Sequence, residues 1–212
     1  MDRVNVAELL EDPSLPEGVV AQAYRDLART QWLLRNTAAI FRRLGKNPGK
    51  VLDLGCGQGA LLEEIRGKLG VEVIGFDLRP APAGSSVRIL TGNAAVDPLP
   101  EADVAIAVCL AHHLSEEDVV RMIRNVSRSC RRLIVLDLVR HWMPLALFRV
   151  FLSPILHPIN ARDGVTSIKR SYTPRELRGM VDEAVKGTNA RVVHTVAPFY
   201  TRQIVDISFV GR

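Results

Sequence analysis

Val51-Leu52-Asp53-Leu54-Gly55-Cys56-Gly57-Gln58-Gly59-Ala60 is the stretch whose reading decides the fold. Four residues of strand character run into a turn with glycine at every second position. Ala60–Leu69 then carries helical spacing, closed by Gly70. Glycine permits positive φ and lets a ligand approach the backbone closely, and amides at a helix start attract negative groups. Gly55, Gly57 and Ala60 also satisfy the dinucleotide pattern G-x-G-x-x-G/A. Two details separate the readings. Asp53, near the strand end, would repel a pyrophosphate but attract a cation such as an ammonium or a sulfonium. Gly59 turns the spacing into G-x-G-x-G.

Outward from this turn, four more apolar stretches read as strands: Val71–Phe76, Val87–Leu90, Ala102–Val108 and Arg132–Leu136. They lack polar alternation and are interleaved with helical segments, which predicts a parallel sheet covered on both faces. Ser115 caps a helix through about Ser129, with Asp118 in the capping-box position. A further helix starts with Thr173 as cap, Pro174 at its first position and Glu176 at its third. Arg191–Pro198 and Arg202–Val210 are too close in sequence for a crossover, so they predict a hairpin whose last strand runs antiparallel. Upstream, Val19–Leu44 spaces Val20, Tyr24, Leu27, Leu33, Leu34 and Ile40 as helices do, and Asn47-Pro48-Gly49 breaks the pattern. Residues 139–171 are apolar but interrupted by Pro144, Pro154 and Pro158, too irregular for one helix. They serve either as a core-packing insertion or as a lid over an apolar substrate, since ligands bind beyond the carboxyl ends of parallel strands.

Composition narrows the function classes. With 212 residues, 47% hydrophobic and 24% charged, the chain suits one globular domain and excludes disorder and a disulfide scaffold. Its longest uncharged runs, 104–115 and 150–161, are too short to span a bilayer, which takes roughly 17–25 residues. Met1–Leu10 carries Asp2, Arg3 and Glu8 and no apolar leader. Cys56, Cys109 and Cys130 form no Cys-x-x-Cys pair, so the expectation is a reduced, cytoplasmic setting without a metal cluster. The net charge of +5 could suit nucleic acid, but the basic residues are scattered and aromatic stacking groups are few.

Further candidates sit where the strands end. Asp77, ending the second strand, can accept hydrogen bonds from both hydroxyls of a ribose. Asn93, or the backbone at Ala94, could meet an adenine edge. His112 and His113 follow the fourth strand. Adjacent rings seldom serve one ion and no other ligand cluster is evident in sequence, so proton transfer or loop shaping is the expectation there. Asp137 ends the fifth strand and should open onto the same cleft.

Val51–Ala60, Asp77, Asn93 and Val104–Leu114 together resemble the successive motifs of class I S-adenosylmethionine-dependent methyltransferases, over roughly residues 48–140. The resemblance implies an α/β, Rossmann-like, doubly wound seven-stranded sheet, mostly parallel with an antiparallel last strand, plus N-terminal helices. It implies S-adenosylmethionine as cofactor and S-adenosylhomocysteine as product. Asp53, Leu54, Gly55, Cys56, Gly57 and Gly59 would embrace the methionine part. Asp77 would hold the ribose, with Leu78 beside the adenine and Asn93 and Ala94 contacting it, although the family often has Asp where Asn93 stands. Cys109 and Leu110 would face the cofactor beneath the methyl group. Asp163–Leu177 further resembles small bacterial methyltransferases acting on polyketide- or quinol-like molecules, in which this region and the N-terminal helices cover the acceptor.

The expected organisation is one methyltransferase domain over 1–212. Residues 1–46 would form a helical lid, 47–138 the cofactor half, 139–171 the insertion over the acceptor pocket, and 172–212 the last helix and hairpin. The acceptor would be a small phenol, quinol or polyketide-like molecule. Base candidates are His112, His113, Asp137, His141 and Tyr172, while Arg140, Arg170 and His141 could hold the acceptor. No Asp/Asn-Pro-Pro-Tyr/Phe motif and no Pro-Cys nucleophile follows the fourth strand; Val108-Cys109-Leu110-Ala111 stands there. That favours a small molecule over RNA. A nicotinamide-dependent reductase and a non-catalytic cofactor-binding regulator stay open on the G-x-G-x-x-A match.

Overall fold

The computed structural model describes residues 1–11, 15–16, 18–19, 22–23, 25–26, 30 and 34–209. Among them a seven-stranded sheet organises the chain in the order β3-β2-β1-β4-β5-β7-β6. Its strands are β1 (Val51–Leu54), β2 (Val73–Asp77), β3 (Arg88–Thr91), β4 (Ala102–Val108), β5 (Cys130–Asp137), β6 (Arg191–Val196) and β7 (Gln203–Ser208). The first five run parallel, with Val51 paired to both Val73 and Val104. β7 is antiparallel to β5 and to β6, as the short hairpin connection requires.

The helices are α1 (Asn36–Leu44), α2 (Ala60–Leu69), α3 (Glu116–Ser129), α4 (Trp142–Leu147), α5 (Pro158–Arg170) and α6 (Pro174–Ala184). Ser115 Oγ accepts from the Asp118 amide at the start of α3. At α6 the capping box is complete: Thr173 accepts from the Glu176 amide and the Glu176 carboxylate accepts from the Thr173 amide.

Leu54, Ala105, Leu133, Met122 and Val181 pack on one face of the sheet, and Ile40, Ile65, Ile106 and Ile134 on the other. Central strands β1, β4 and β5 are therefore buried on both faces, which is why they read as unbroken apolar runs.

Boundaries shift where pairing overrides propensity. β2 starts at Val73 because that residue pairs with the first residue of β1. β5 is longer than its apolar centre because β4 holds it from Cys130 and β7 pairs with it out to Asp137. In the hairpin, Ala197–Arg202 forms a turn closed by the Ala197 amide on the Arg202 carbonyl, with Phe199 and Tyr200 at positive φ. Of the N-terminal helical pattern, Asn36–Leu44 is helical and Ile40 is fully buried. Val20, Tyr24, Leu27, Leu33 and Val210 lie outside the described residues. The proline-broken segment folds as α4, a π-turn at Phe148–Leu152, a 3-10 turn at Ser153–Ile155, and α5. It buries Leu145, Phe148 and Ile168 in a small core of its own.

Candidate active site

The loop between β1 and α2 is shaped by backbone conformations that only glycine adopts freely. Gly55 and Gly57 have φ of 70° and 54°. A Cβ on Gly55 would lie 2.8 Å from Leu110 Cδ1, so the loop is pressed against the chain that follows β4. Asp77 organises the loop from the next strand: its Oδ2 accepts from the Gly57 amide (2.8 Å) and its Oδ1 from the Arg79 amide (2.9 Å).

Asp53 is 3% exposed, and no donor among the described residues reaches its carboxylate. Burial pushes its pKa well up, and the neighbouring Asp77 pushes it further. A buried carboxylate without a donor beside a second carboxylate is a site short of positive charge. The ammonium and sulfonium of S-adenosylmethionine fit that deficit, and Asp77 fits a ribose. Burial, Asp53 and Asp77 also raise the Cys56 thiol, which removes it as a nucleophile. Leu78 is exposed. Asn93 Oδ1 accepts from the Ala95 amide and the Ala94 carbonyl accepts from Asn125, so both hold the loop after β3 in shape.

Beyond the same strand ends lies a cavity of about 430 Å³, lined by Leu34, Cys109, Leu138, Phe148, Leu152 and Leu156 among other apolar groups. Cys109 lines it with φ of 54°, its amide held by the Leu136 carbonyl. The polar end is built by Glu8, His112 and His113. His112 is 2% exposed; its Nδ1 lies 2.6 Å from Asp137 Oδ1, and its amide donates to Asp137 Oδ2. Its Nε2 faces Glu8 Oε1 at 3.6 Å, and Ser167 Oγ donates to the same oxygen. Burial alone would lower the His112 pKa, but Asp137 and then Glu8 outweigh it and push it up to about 9. Burial likewise raises Glu8, yet the His112 and His113 rings bring it below its ordinary value. The result is a line of Asp137, imidazolium and Glu8. Glu8, His112 and His113 also bring three ligating atoms within 4.8 Å of one another, so a divalent cation has ligands there if it displaces the proton.

Sequence reading missed Glu8, which counted only as a charge in a non-leader segment. No local pattern marks it. The chain before α1 is laid across the strand ends by contacts from distant residues. The Leu9 and Leu10 amides donate to Asp163, and Arg3 donates to the carbonyls of Arg170, His112 and Leu114.

The remaining site candidates have the following partners. Tyr172 Oη donates to the Leu114 carbonyl beneath the Arg3 guanidinium, and burial raises its pKa to about 12, so it is packed as a structural residue. Arg140 donates to the Met1 and Ser171 carbonyls and to Glu176, which uses up its planar fork away from the cavity. His141 caps α4 by accepting from the Met143 amide and stacks on Tyr200. Arg170 is buried and lines no part of the cavity.

Residues 51–132 match the family model described as a methyltransferase domain. The match covers less than half of the chain, and the matched region and its sheet are similar to those of a methyltransferase domain. Solved structures agree in fold. The S-adenosylmethionine-dependent methyltransferase SibL is 16% identical, with a TM-score of 0.65 over 97% of this chain and 63% of that one. The plantazolicin methyltransferase BpumL, solved with S-adenosylhomocysteine and a substrate analogue, is 13% identical, with a TM-score of 0.59 over 89% of this chain and 85% of that one. An O-methyltransferase of neocarzinostatin biosynthesis, solved with S-adenosylmethionine and a hydroxy-methyl-naphthoic acid, is 17% identical, with a TM-score of 0.60 over 92% and 59%. The chain thus spans less than two thirds of the first and third of these. No curated protein sequence matches it.

Proposed function

We propose that the chain transfers a methyl group from S-adenosylmethionine to a small, largely apolar acceptor carrying a phenolic or similarly acidic hydroxyl. One observation carries the reading: Glu8 and His112, the latter hydrogen-bonded to Asp137, line a cavity whose walls are largely leucine and phenylalanine side chains and which Cys109 also lines. When bound, the cofactor supplies a sulfonium methyl, whose C–S electron pair stays on sulfur as the new bond to the acceptor oxygen forms.

The protein's part is alignment, exclusion of water and removal of the acceptor proton. The aliphatic and aromatic walls hold the acceptor and keep the site dry. In its neutral form, which grows as pH rises through about 9, His112 Nε2 takes the hydroxyl proton. Asp137 fixes the tautomer by accepting from Nδ1–H and stabilises the imidazolium that forms. A base raised to about 9 is matched to a phenol, whose reference pKa is near 10. His113, at the same polar end, orients the head of the acceptor. The ring-like acceptors in the names of two structural neighbours are consistent with this class.

The deciding experiment is calorimetric titration with S-adenosylhomocysteine and, in parallel, NADH, followed by methyl-transfer assays on phenols and quinols. Micromolar affinity for the first, none for the second, and transfer to a phenolic acceptor are expected. Binding of NADH alone would overturn the reading in favour of a reductase. Adenosyl binding without transfer to any acceptor would leave only a cofactor-binding regulator.

A further inference from the structure

The mouth of the cavity has an unusual outer surface. Trp142, Val150, Phe151, Ile155 and Phe199 are each more than 60% exposed, and Tyr200 is 42% exposed. They are not scattered. α4 packs on the Pro198–Tyr200 turn, and the His141 ring stacks on Tyr200 at 4.3 Å beside Trp142. Phe151 belongs to both surface and cavity, since it lines the cavity while standing 66% exposed. Thr201, next to Tyr200, lines the cavity too, so the aromatic turn borders the opening.

The charge of this face is one-sided. Leu34 and Asn36 line the cavity on either side of the exposed Arg35. Arg202 donates to the Leu34 carbonyl and to Asn36 Oδ1. Burial lowers the Arg202 pKa, and repulsion from Arg42 and Arg35 lowers it further. Arg149 is exposed between Phe148 and Val150. Arg35, Arg149 and Arg202 lie next to lining residues of the cavity, whereas Arg43 is paired with Asp206 and the carboxylates of Glu8 and Asp163 face the cavity interior.

Protruding aromatic and aliphatic side chains ringed by cations match the headgroup boundary of an anionic bilayer. The rings and branched chains enter the acyl edge there, and the guanidinium groups meet lipid phosphate. No helix among the described residues is long and apolar enough to cross a membrane, so such contact would be peripheral. We propose that this face docks on an anionic lipid surface and that the acceptor enters the cavity from it, as an amphiphile with an apolar body and a hydroxylated head. The entry route rests on the acceptor reading of the cavity; the docking does not. Leu152, Leu156 and Phe148 would receive the apolar body, leaving the head at Glu8, His112 and His113.

The test is co-sedimentation of the full chain with vesicles of phosphatidylcholine alone and of phosphatidylcholine mixed with phosphatidylglycerol, at low and high salt. Binding at least about tenfold tighter to the anionic vesicles, weakened by salt, is expected, because each surface cation strengthens such binding roughly fivefold. Arg35→Glu with Arg42→Glu should abolish the preference for anionic lipid. Trp142→Ser with Phe199→Asn, which respects the positive φ at 199, should lower binding at least about tenfold on both vesicles. Both variants should keep wild-type affinity for S-adenosylhomocysteine, which shows that they are folded. Equal binding to both vesicles, or to neither, would overturn the proposal. So would burial of Trp142 in a dimer, or saturable binding of an acidic protein without vesicle binding. Vesicle binding with no methylation of any phenol would keep the docking and sink the acceptor reading instead.

Discussion

The two halves of the cleft are built by different means. On the cofactor side, Asp53 to Gly59 lie within one β–α unit, and Asp77 reaches the loop from the adjacent strand through a single hydrogen bond to the Gly57 amide. On the acceptor side, the working cluster joins Glu8 before the first described helix, His112 after β4, Asp137 at the end of β5 and Ser167 in α5. The first is backbone geometry written in consecutive residues. The second is a meeting of side chains from four distant points, held by further long-range contacts such as Asp163 on the Leu9 and Leu10 amides. Under the function proposed above, the difference means that methyl-donor binding and acceptor chemistry should be separable.

The largest separation should come from Gly57→Val. A β-branched residue at φ 54° strains the loop and removes the cradle, so S-adenosylhomocysteine affinity should fall about 100-fold, ~2.7 kcal/mol, by calorimetry. Wild-type affinity would show that this loop does not hold the cofactor. His112→Gln and Asp137→Asn should do the reverse, lowering kcat roughly 10²–10⁴-fold while leaving cofactor affinity intact. If affinity fell in step with kcat, the two halves would not be separable.

Glu8→Gln sharpens the comparison through pH. Asp137 and Glu8 push the His112 pKa up to about 9, so its base form, and the activity, should grow as pH rises through about 9. Removing the Glu8 charge lowers the His112 pKa, and the inflection should move to lower pH. A pH profile unchanged in Glu8→Gln would reduce Glu8 to a strap contact. The sign for stability is opposite. The raised pKa stabilises the fold fully below 6.5, and this contribution is lost as pH climbs through about 9, readable as a falling Tm.

Asp53→Asn should raise the Tm of the cofactor-free protein by roughly 2–4 °C, because it removes a buried carboxylate that has no donor, while weakening cofactor binding. A lower Tm would mean that the carboxylate has a structural partner. Tyr172→Phe is the smallest change. It loses one hydrogen bond, about 1 kcal/mol, and should leave the activity profile against pH unmoved. A shifted profile would return Tyr172 to the list of proton-transfer groups.

Much of this molecule was legible in order along the chain. The unbroken apolar runs at Leu52, Ile106 and Ile134 announced strands buried on both faces, and the brief gap before Gln203 announced the reversed strand. His112 and Asp137 were legible as strand-end residues, since the ends of parallel strands share one edge whatever the connecting lengths. Arg140 and Tyr172 show what that rule leaves open. Nearness to a strand end does not say which way a side chain turns, and both turn toward the N-terminal segment.

The amino-acid sequence by itself therefore determined the parallel sheet, the glycine turn and the carboxylates at its edge, because each depends on residues within one β–α unit or on the common direction of strands. Only the tertiary structure decided that Glu8 joins His112 and that the proline-broken segment helps wall the cavity. Those arrangements depend on loops closing over long stretches of chain and on which buried groups find partners. That is a property of the whole packed molecule and is written at no single place along it.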